Sequence, residues 1–185
     1  YTFFTAASAR MDDPTILAVN TILLQLFTLF SYMNDGFAYS AEALTGRFIG
    51  ARDVKSLRDC VKKCLMWGVI VGVVYVGVYI GWWRDLLTLF LDSGADDAEK
   101  IMEYAERYIG WIIAIPLAAS MPFIMDGIMV GATQSRIMRD SMIYSTIAYF
   151  AIFYTMRPLI GNNALWLAFS SYMFLRGALQ YFMSH

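Results

Sequence analysis

The fold class this sequence predicts is an all-α, polytopic membrane helical bundle, and three observations predict it. The chain of 185 residues is 59% hydrophobic and only 16% charged, with a mean hydropathy of +0.53. Soluble domains are roughly half apolar and about a quarter charged. The apolar residues gather in runs long enough to cross about 30 Å of hydrocarbon. Those runs also lack the polar face that a soluble helix keeps towards water.

The elements follow in order. Residues 1–9 read as the outer end of a helix, closed by a polar turn at 10–13. Asp13 and Pro14 then make a helix start, since Asp caps free N–H groups and Pro at the first helical position has no N–H to lose. A first long span is expected over 15–46. At 1.5 Å per residue it covers about 48 Å, so it must tilt, bend or protrude. From Asp53 the apolar positions Val54, Leu57, Val61, Cys64 and Leu65 recur at intervals of three and four, with Lys55, Arg58, Lys62 and Lys63 opposite. This is an amphipathic entry segment at a membrane surface. It leads into a second span at 64–83, where Trp67, Trp82 and Trp83 sit as interfacial anchors.

An acidic connector is expected over 84–107, broken at Ser93-Gly94. The third span, 108–131, carries Pro116 and Pro122, each predicting a kink and a freed carbonyl. Arg136, Arg139 and Asp140 read as a short polar turn. A fourth span over 141–156 is closed by Arg157-Pro158 and Gly161-Asn162-Asn163. A fifth, 164–183, is interrupted by Arg176. Six cations fall within 47–63, and positive residues mark the cytoplasmic side. The 47–63 segment is therefore expected in the cytoplasm, with residue 1 outside and the multi-pass chain in the inner (plasma) membrane.

Cysteine chemistry contributes little. Cys60 and Cys64 are four residues apart, and His185 is the one histidine. A metal site would require more ligands, so the two thiols read as small residues on a packed helix face. The chain starts without Met inside an apolar stretch and shows no secretory leader, which reads as a piece of a longer polypeptide.

Ionisable groups inside the spans carry the functional reading. A carboxylate in a bilayer costs a few kcal/mol, about 2.5–3.5 on insertion scales, and such groups usually face a bundle interior or a wet cavity. Asp35 and Glu42 are seven apart and share a helix face. Asp35 lies about 30 Å along its helix, and Glu42 lies at or past the inner interface, solvated or paired with Arg47. Asp126 follows the two prolines. A carboxylate held out of water either keeps a proton or coordinates Na⁺ together with freed carbonyls, and filling the site biases one conformer over another. Asp35, Asp126, Glu42 and Asn34 are the candidate cation- or substrate-binding residues. Arg10 and Arg176 are read as snorkelling or interfacial, with a counterion role as the alternative. Asn20, Gln25, Tyr32, Tyr39, Met121, Met125 and Met129 fit an adaptable, partly polar cavity, although methionine stripes are also ordinary packing.

DGFAYSAEALTGRFIGARD (35–53), with FFTAASAR (3–10), PFIMDGIMVGATQSRIMRDSM (122–142) and ALWLAFSSYMFLRG (164–177), resembles the C-terminal half of multidrug and toxic compound extrusion (MATE) transporters. The likeness is to the branch that includes the DNA-damage-inducible members. It implies twelve helices in two six-helix lobes around a central cavity that opens alternately to either side. Residues 1–185 would then be the C-terminal transmembrane lobe, with the tail of helix seven and helices eight to twelve; the N-terminal lobe lies elsewhere in the same polypeptide. The implied activity is efflux of small cationic or amphipathic compounds by H⁺- or Na⁺-coupled antiport. Family carboxylates on helices eight and ten match Asp35 and Asp126. A helix-seven glutamate, a cation ligand in some members, falls before Tyr1 or is absent. The resemblance implies a lipid bilayer partner, no cofactor beyond the coupling ion, no enzyme activity and no nucleic acid. A lipid-linked saccharide flippase of the same superfamily would favour a more basic cavity. A structural membrane subunit would be indifferent to loss of the aspartates, and an intramembrane aspartyl protease would carry GxGD and YD motifs where this chain has NDG and MDG.

Overall fold

The computed structural model describes residues 2–9, 14–90 and 98–184. The expected turn at Arg10 to Asp13, the break at Ser93-Gly94, the acids Asp92, Asp96 and Asp97, and His185 lie outside them. Among the described residues there are six helices and no strand: α1 (Thr2–Ala9), α2 (Pro14–Gly50), α3 (Val54–Thr88), α4 (Ala98–Gly131), α5 (Ser135–Ile160) and α6 (Asn162–Met183).

The helices run further than the spans inferred from apolar runs. Helix α2 continues through Arg47 to Gly50, and the amphipathic segment after Asp53 joins the second span as one 35-residue helix with a kink at Trp82. Arg136, Arg139 and Asp140 are not a turn but the opening of α5. Hydropathy marks where a helix leaves hydrocarbon, whereas backbone hydrogen bonding carries it on into the interface.

Helices α2 and α4 end alike. Arg52 and Thr133 adopt left-handed φ values of 56° and 57°. The Asp53 N–H donates to the Phe48 carbonyl and the Gln134 N–H to that of Met129, at 3.0 and 2.9 Å. These are Schellman ends, which satisfy carbonyls that the helix leaves free. The α5–α6 corner is sharper still: a single Gly161 at φ +55° joins the two helices.

Helix α4 is the hub and packs against α2, α3 and α6. It passes through Pro116 and Pro122 as one helix, so the expected kinks do not divide it. Pro122 is instead a contact surface: a Cβ on Gly177 of α6 would lie 2.8 Å from its Cδ. Close approach to α3 uses Gly68 and Gly72, which face Ile124 and the Pro116 carbonyl. Small residues at such crossings let helices gain dispersion and polar contacts where lipid offers no hydrophobic drive.

Among the described residues three helices are long and apolar enough to cross a membrane: α2, α3 and residues 99–131 of α4, whose most apolar 18-residue stretches have mean hydropathies of 1.7, 2.1 and 1.8. Five such spans were expected. Helices α5 and α6, at 26 and 22 residues, are long enough but less apolar. Their polar groups are partly internal: Ser141, Ser145, Asn162 and Gln180 are buried. Helix α3 shows the opposite distribution, exposing Trp67, Val69, Ile70, Val73, Val74 and Ile80 in an aliphatic surface.

The apolar core runs between α1, α2, α4 and α6 around Phe4, Phe27, Phe30, Ile112, Ile115 and Trp166. One polar knot lies inside it. The Asn20 amide donates to Ser8 Oγ and to Asn162 Oδ1, both at 2.7 Å. Its own oxygen accepts from Asn162 Nδ2 at 3.0 Å and from Trp166 Nε1 at 2.9 Å. Asn20 is thus a buried tie between α1, α2 and α6 and not the cavity residue its polarity suggested. Met125 and Met129 are likewise core.

Candidate functional site

The site is built where α4 meets α2 and α6. Gly127 and Gly131, four apart on one face of α4, lie directly on the α2 backbone. A Cβ on Gly127 would overlap the Ala38 carbonyl, and one on Gly131 would overlap that of Glu42. This approach brings Asp126, the neighbour of Gly127, to the same level as Asp35.

Asp126 is held from α6. Arg176 Nη2 forms an ion pair with Asp126 Oδ2, and Gln180 Nε2 donates to Oδ1 at 2.7 Å. Arg176 and Gln180 are four apart and therefore project from one face of α6. The paired side chains keep only 17% and 23% of their exposure. Arg176 is thus a counterion and does not snorkel as expected: an opposite charge at the same depth removes the reason for the guanidinium to reach for water. Arg10 lies outside the described residues.

Asp35 is half-buried and close enough to Asp126 for their charges to interact. Among the described residues it makes no hydrogen bond or ion pair. Asn34, fully buried, donates to the Phe30 carbonyl at 3.1 Å, which leaves its own Oδ1 without a partner, like Oε1 of Gln180. Asp35, Asp126 and Arg176 together carry one net negative charge. A single monovalent cation would balance it, and unpaired amide oxygens are the ligand type a hard cation takes. Glu42 sits two turns further along α2, about 10 Å away by helical rise, and no pair with Arg47 is formed among the described residues. Its backbone, packed under Gly131, is its structural contribution.

Beside this cluster α2 presents an open face: Thr21, Gln25, Leu29, Tyr32, Met33, Gly36, Tyr39 and Ser40 are exposed, with Tyr32 and Tyr39 each at 71%, Met33 at 51% and Leu29 at 46%. These residues recur at three- and four-residue steps, and all but Leu29 and Met33 are polar, aromatic or small. They contrast with the aliphatic exposed face of α3. Of the expected site residues, Asp35 and Asp126 fall beside this face and Glu42 two turns along α2 from Asp35, whereas Asn34 is fully buried on the other side of the helix. Gln180 was missed, though its four-residue spacing from Arg176 was visible in the sequence.

Comparison with known proteins decides the family. Residues 1–156 match the MatE family model. The chain belongs to the MatE family. It is 34% identical over 173 residues to DNA damage-inducible protein F of Escherichia coli (strain K12), a match covering 94% of this chain and 36% of that protein. It is 22% identical over 181 residues to Protein DETOXIFICATION 42 of Arabidopsis thaliana, covering 94% and 33%. Protein DETOXIFICATION 43 of the same plant is 26% identical over 172 residues, covering 92% and 32%. The chain spans about a third of the length of these curated relatives. No solved structure matches it. The MatE family is one of helical membrane transporters, in keeping with the helical bundle and its apolar spans.

Proposed function

We propose that residues 1–185 are the C-terminal lobe of a secondary transporter that moves small cationic or amphipathic compounds outward in exchange for H⁺ or Na⁺. The observation that carries the reading is the largely polar and aromatic face of α2, with Leu29 and Met33 within it, beside the carboxylates Asp35 and Asp126. Such a face is costly against lipid and at home against a water-filled cleft. The cleft forms between this lobe and an N-terminal lobe of the same polypeptide, in a plasma membrane with the 47–63 segment in the cytoplasm.

In this mechanism the site alternates between two neutral states. With the coupling ion bound, the net negative charge of Asp35, Asp126 and Arg176 is balanced; with the ion gone, a cationic substrate balances it. One charge serves both, so the two compete and the lobe reorients only when one is present. The full-length polypeptide, reconstituted in liposomes, is expected to drive ethidium efflux under an H⁺ or a Na⁺ gradient. Asp35→Asn and Asp126→Asn are expected to abolish the gradient-dependent part. Wild-type rates in both variants would remove these residues from the mechanism and favour a purely structural subunit.

A further inference from the structure

The two cysteines of the chain lie on α3, which packs against α2 and α4. Cys60 and Cys64 are four apart and project from one face of the helix. Both are free thiols, Cys60 buried and Cys64 half-buried, and their Sγ atoms stand 3.8 Å apart. Cβ atoms at this spacing on a helix are about 5–6 Å apart, whereas a disulfide draws them to about 3.5–4.5 Å. The helix therefore keeps the thiols close without letting them join. One atom placed between them bridges the gap, because two sulfurs each about 2.3 Å from a tetrahedral centre are about 3.8 Å apart.

A third polar group lies at the same level. Tyr79 Oη donates to the Leu26 carbonyl at 2.7 Å, and the Tyr75 ring stands edge-on to that of Phe30. These contacts set an antiparallel register between α3 and α2. Carried towards the turn between the two helices, it brings Cys64 level with Ala41, and the two belong to one packed cluster. One turn further it brings Cys60 level with Thr45. Thr45 is 1% exposed, and its Oγ1 has no partner among the described residues. A buried hydroxyl left unpaired is costly, and a ligand held at the thiols would supply what it lacks.

We infer that Cys60 and Cys64 chelate a thiophilic d¹⁰ divalent cation of the Zn²⁺ or Cd²⁺ type, with the Thr45 hydroxyl hydrogen-bonded to a water on the metal. Soft sulfur ligands select such an ion over Mg²⁺ or Ca²⁺. Each thiol releases its proton as its sulfur–metal bond forms, so two protons leave for one cation bound. Two thiolates and one divalent cation are neutral together, which suits a half-buried place. No cluster of three His, Cys, Asp or Glu side chains suited to a metal exists among the described residues. The remaining coordination positions therefore fall to water and the ion exchanges, unlike one closed in by four protein ligands. Metal binding here needs no ion gradient and no second lobe, and so stands apart from the proposed transport cycle.

The test is titration of the full-length polypeptide with Cd²⁺ in detergent, kept reduced with a phosphine, reading the ultraviolet charge-transfer absorbance of thiolate-bound metal. The variant carrying both Cys60→Ser and Cys64→Ser is the blank for any other thiol. One Cd²⁺ per chain is expected above that blank, displaced by Zn²⁺ and untouched by Mg²⁺. Cys60→Ser and Cys64→Ser are each expected to bring the signal down to the blank, since one sulfur does not chelate; alanine variants decide the matter should serine disturb the fold. Thr45→Val is expected to weaken binding by about tenfold or more, the usual effect of losing an outer partner of a metal site, and Thr45→Ser to preserve it. A wild-type signal equal to the blank, or either single cysteine variant binding as wild type does, would overturn the inference. Affinity unmoved by Thr45→Val would overturn the part given to the hydroxyl. Ethidium efflux is scored separately, so failure of either reading leaves the other visible.

Discussion

Substituting Gly127 by alanine isolates the contact on which the candidate site rests. The new methyl group would overlap the Ala38 carbonyl and lie 2.8 Å from the carbonyl carbon and 3.0 Å from the Cα. All three are backbone atoms, so no rotamer change relieves the clash and α2 must move away from α4. Exchanging Gly for Ala in a helix interior is otherwise favourable by about 1 kcal/mol. Gly77 on α3 supplies the control, because it is exposed and a Cβ there meets nothing within 4 Å. The propensity gain cancels between Gly127→Ala and Gly77→Ala, so their difference in stability is the overlap alone, about 1–3 kcal/mol. Unfolding in mixed micelles with increasing SDS reads it, with Gly77→Ala expected above wild type and Gly127→Ala well below Gly77→Ala. Displacement of α2 also separates Asp35 from Asp126, so gradient-driven ethidium efflux is expected to fall in Gly127→Ala and to persist in Gly77→Ala. Equal stability of the two variants would refute the reasoning, since the glycine would then not be required by close approach.

Two further outcomes follow from the same packing. Asn20→Ala strips partners from Ser8, Asn162 and Trp166 together; at about 1–3 kcal/mol for each buried group left unpaired, it is expected to be among the most destabilising single changes, measured by the same SDS titration. Asp53 caps α3 by accepting from the Ser56 N–H at 3.0 Å, and that hydrogen bonding holds its carboxyl below the usual carboxylate range. A depressed pKa stabilises the folded cap above the unfolded value and loses that effect as pH falls through the folded one; amide exchange at Ser56 and Leu57, corrected for intrinsic rate, is therefore expected to lose protection in that acidic window, and Asp53→Ala to remove the dependence.

Composition and run length made the membrane class and the helix order legible, because both report directly on solvation. Asp35 and Asp126 were legible for the same reason: a carboxylate in an apolar run needs an explanation that a surface carboxylate does not. Boundaries were less so. Arg47 and the charged residues of 136–140 were read as lying outside the helices, yet α2 and α5 continue through them, and the amphipathic segment after Asp53 runs unbroken into the second span, since an interface tolerates charge and helical hydrogen bonding together. Partnerships were not legible. Arg176 in its apolar run fits snorkelling and pairing equally, and its partner is 50 positions away. Asn20 looked like cavity polarity because nothing in the sequence announces that Asn162, 142 positions on, satisfies it.

Whether the Gln25–Tyr39 face of α2 meets water at membrane depth is the most direct test of the account. In a full-length background with Cys60 and Cys64 replaced by serine, Gln25→Cys and Tyr39→Cys are expected to react with a water-soluble methanethiosulfonate in proteoliposomes, and Val73→Cys on the aliphatic face of α3 to resist it, because thiols ionise and react only where water reaches them. Equal resistance at all three positions would mean that α2 faces lipid or a dry interface, and the proposed ion-coupled cleft would have no wall.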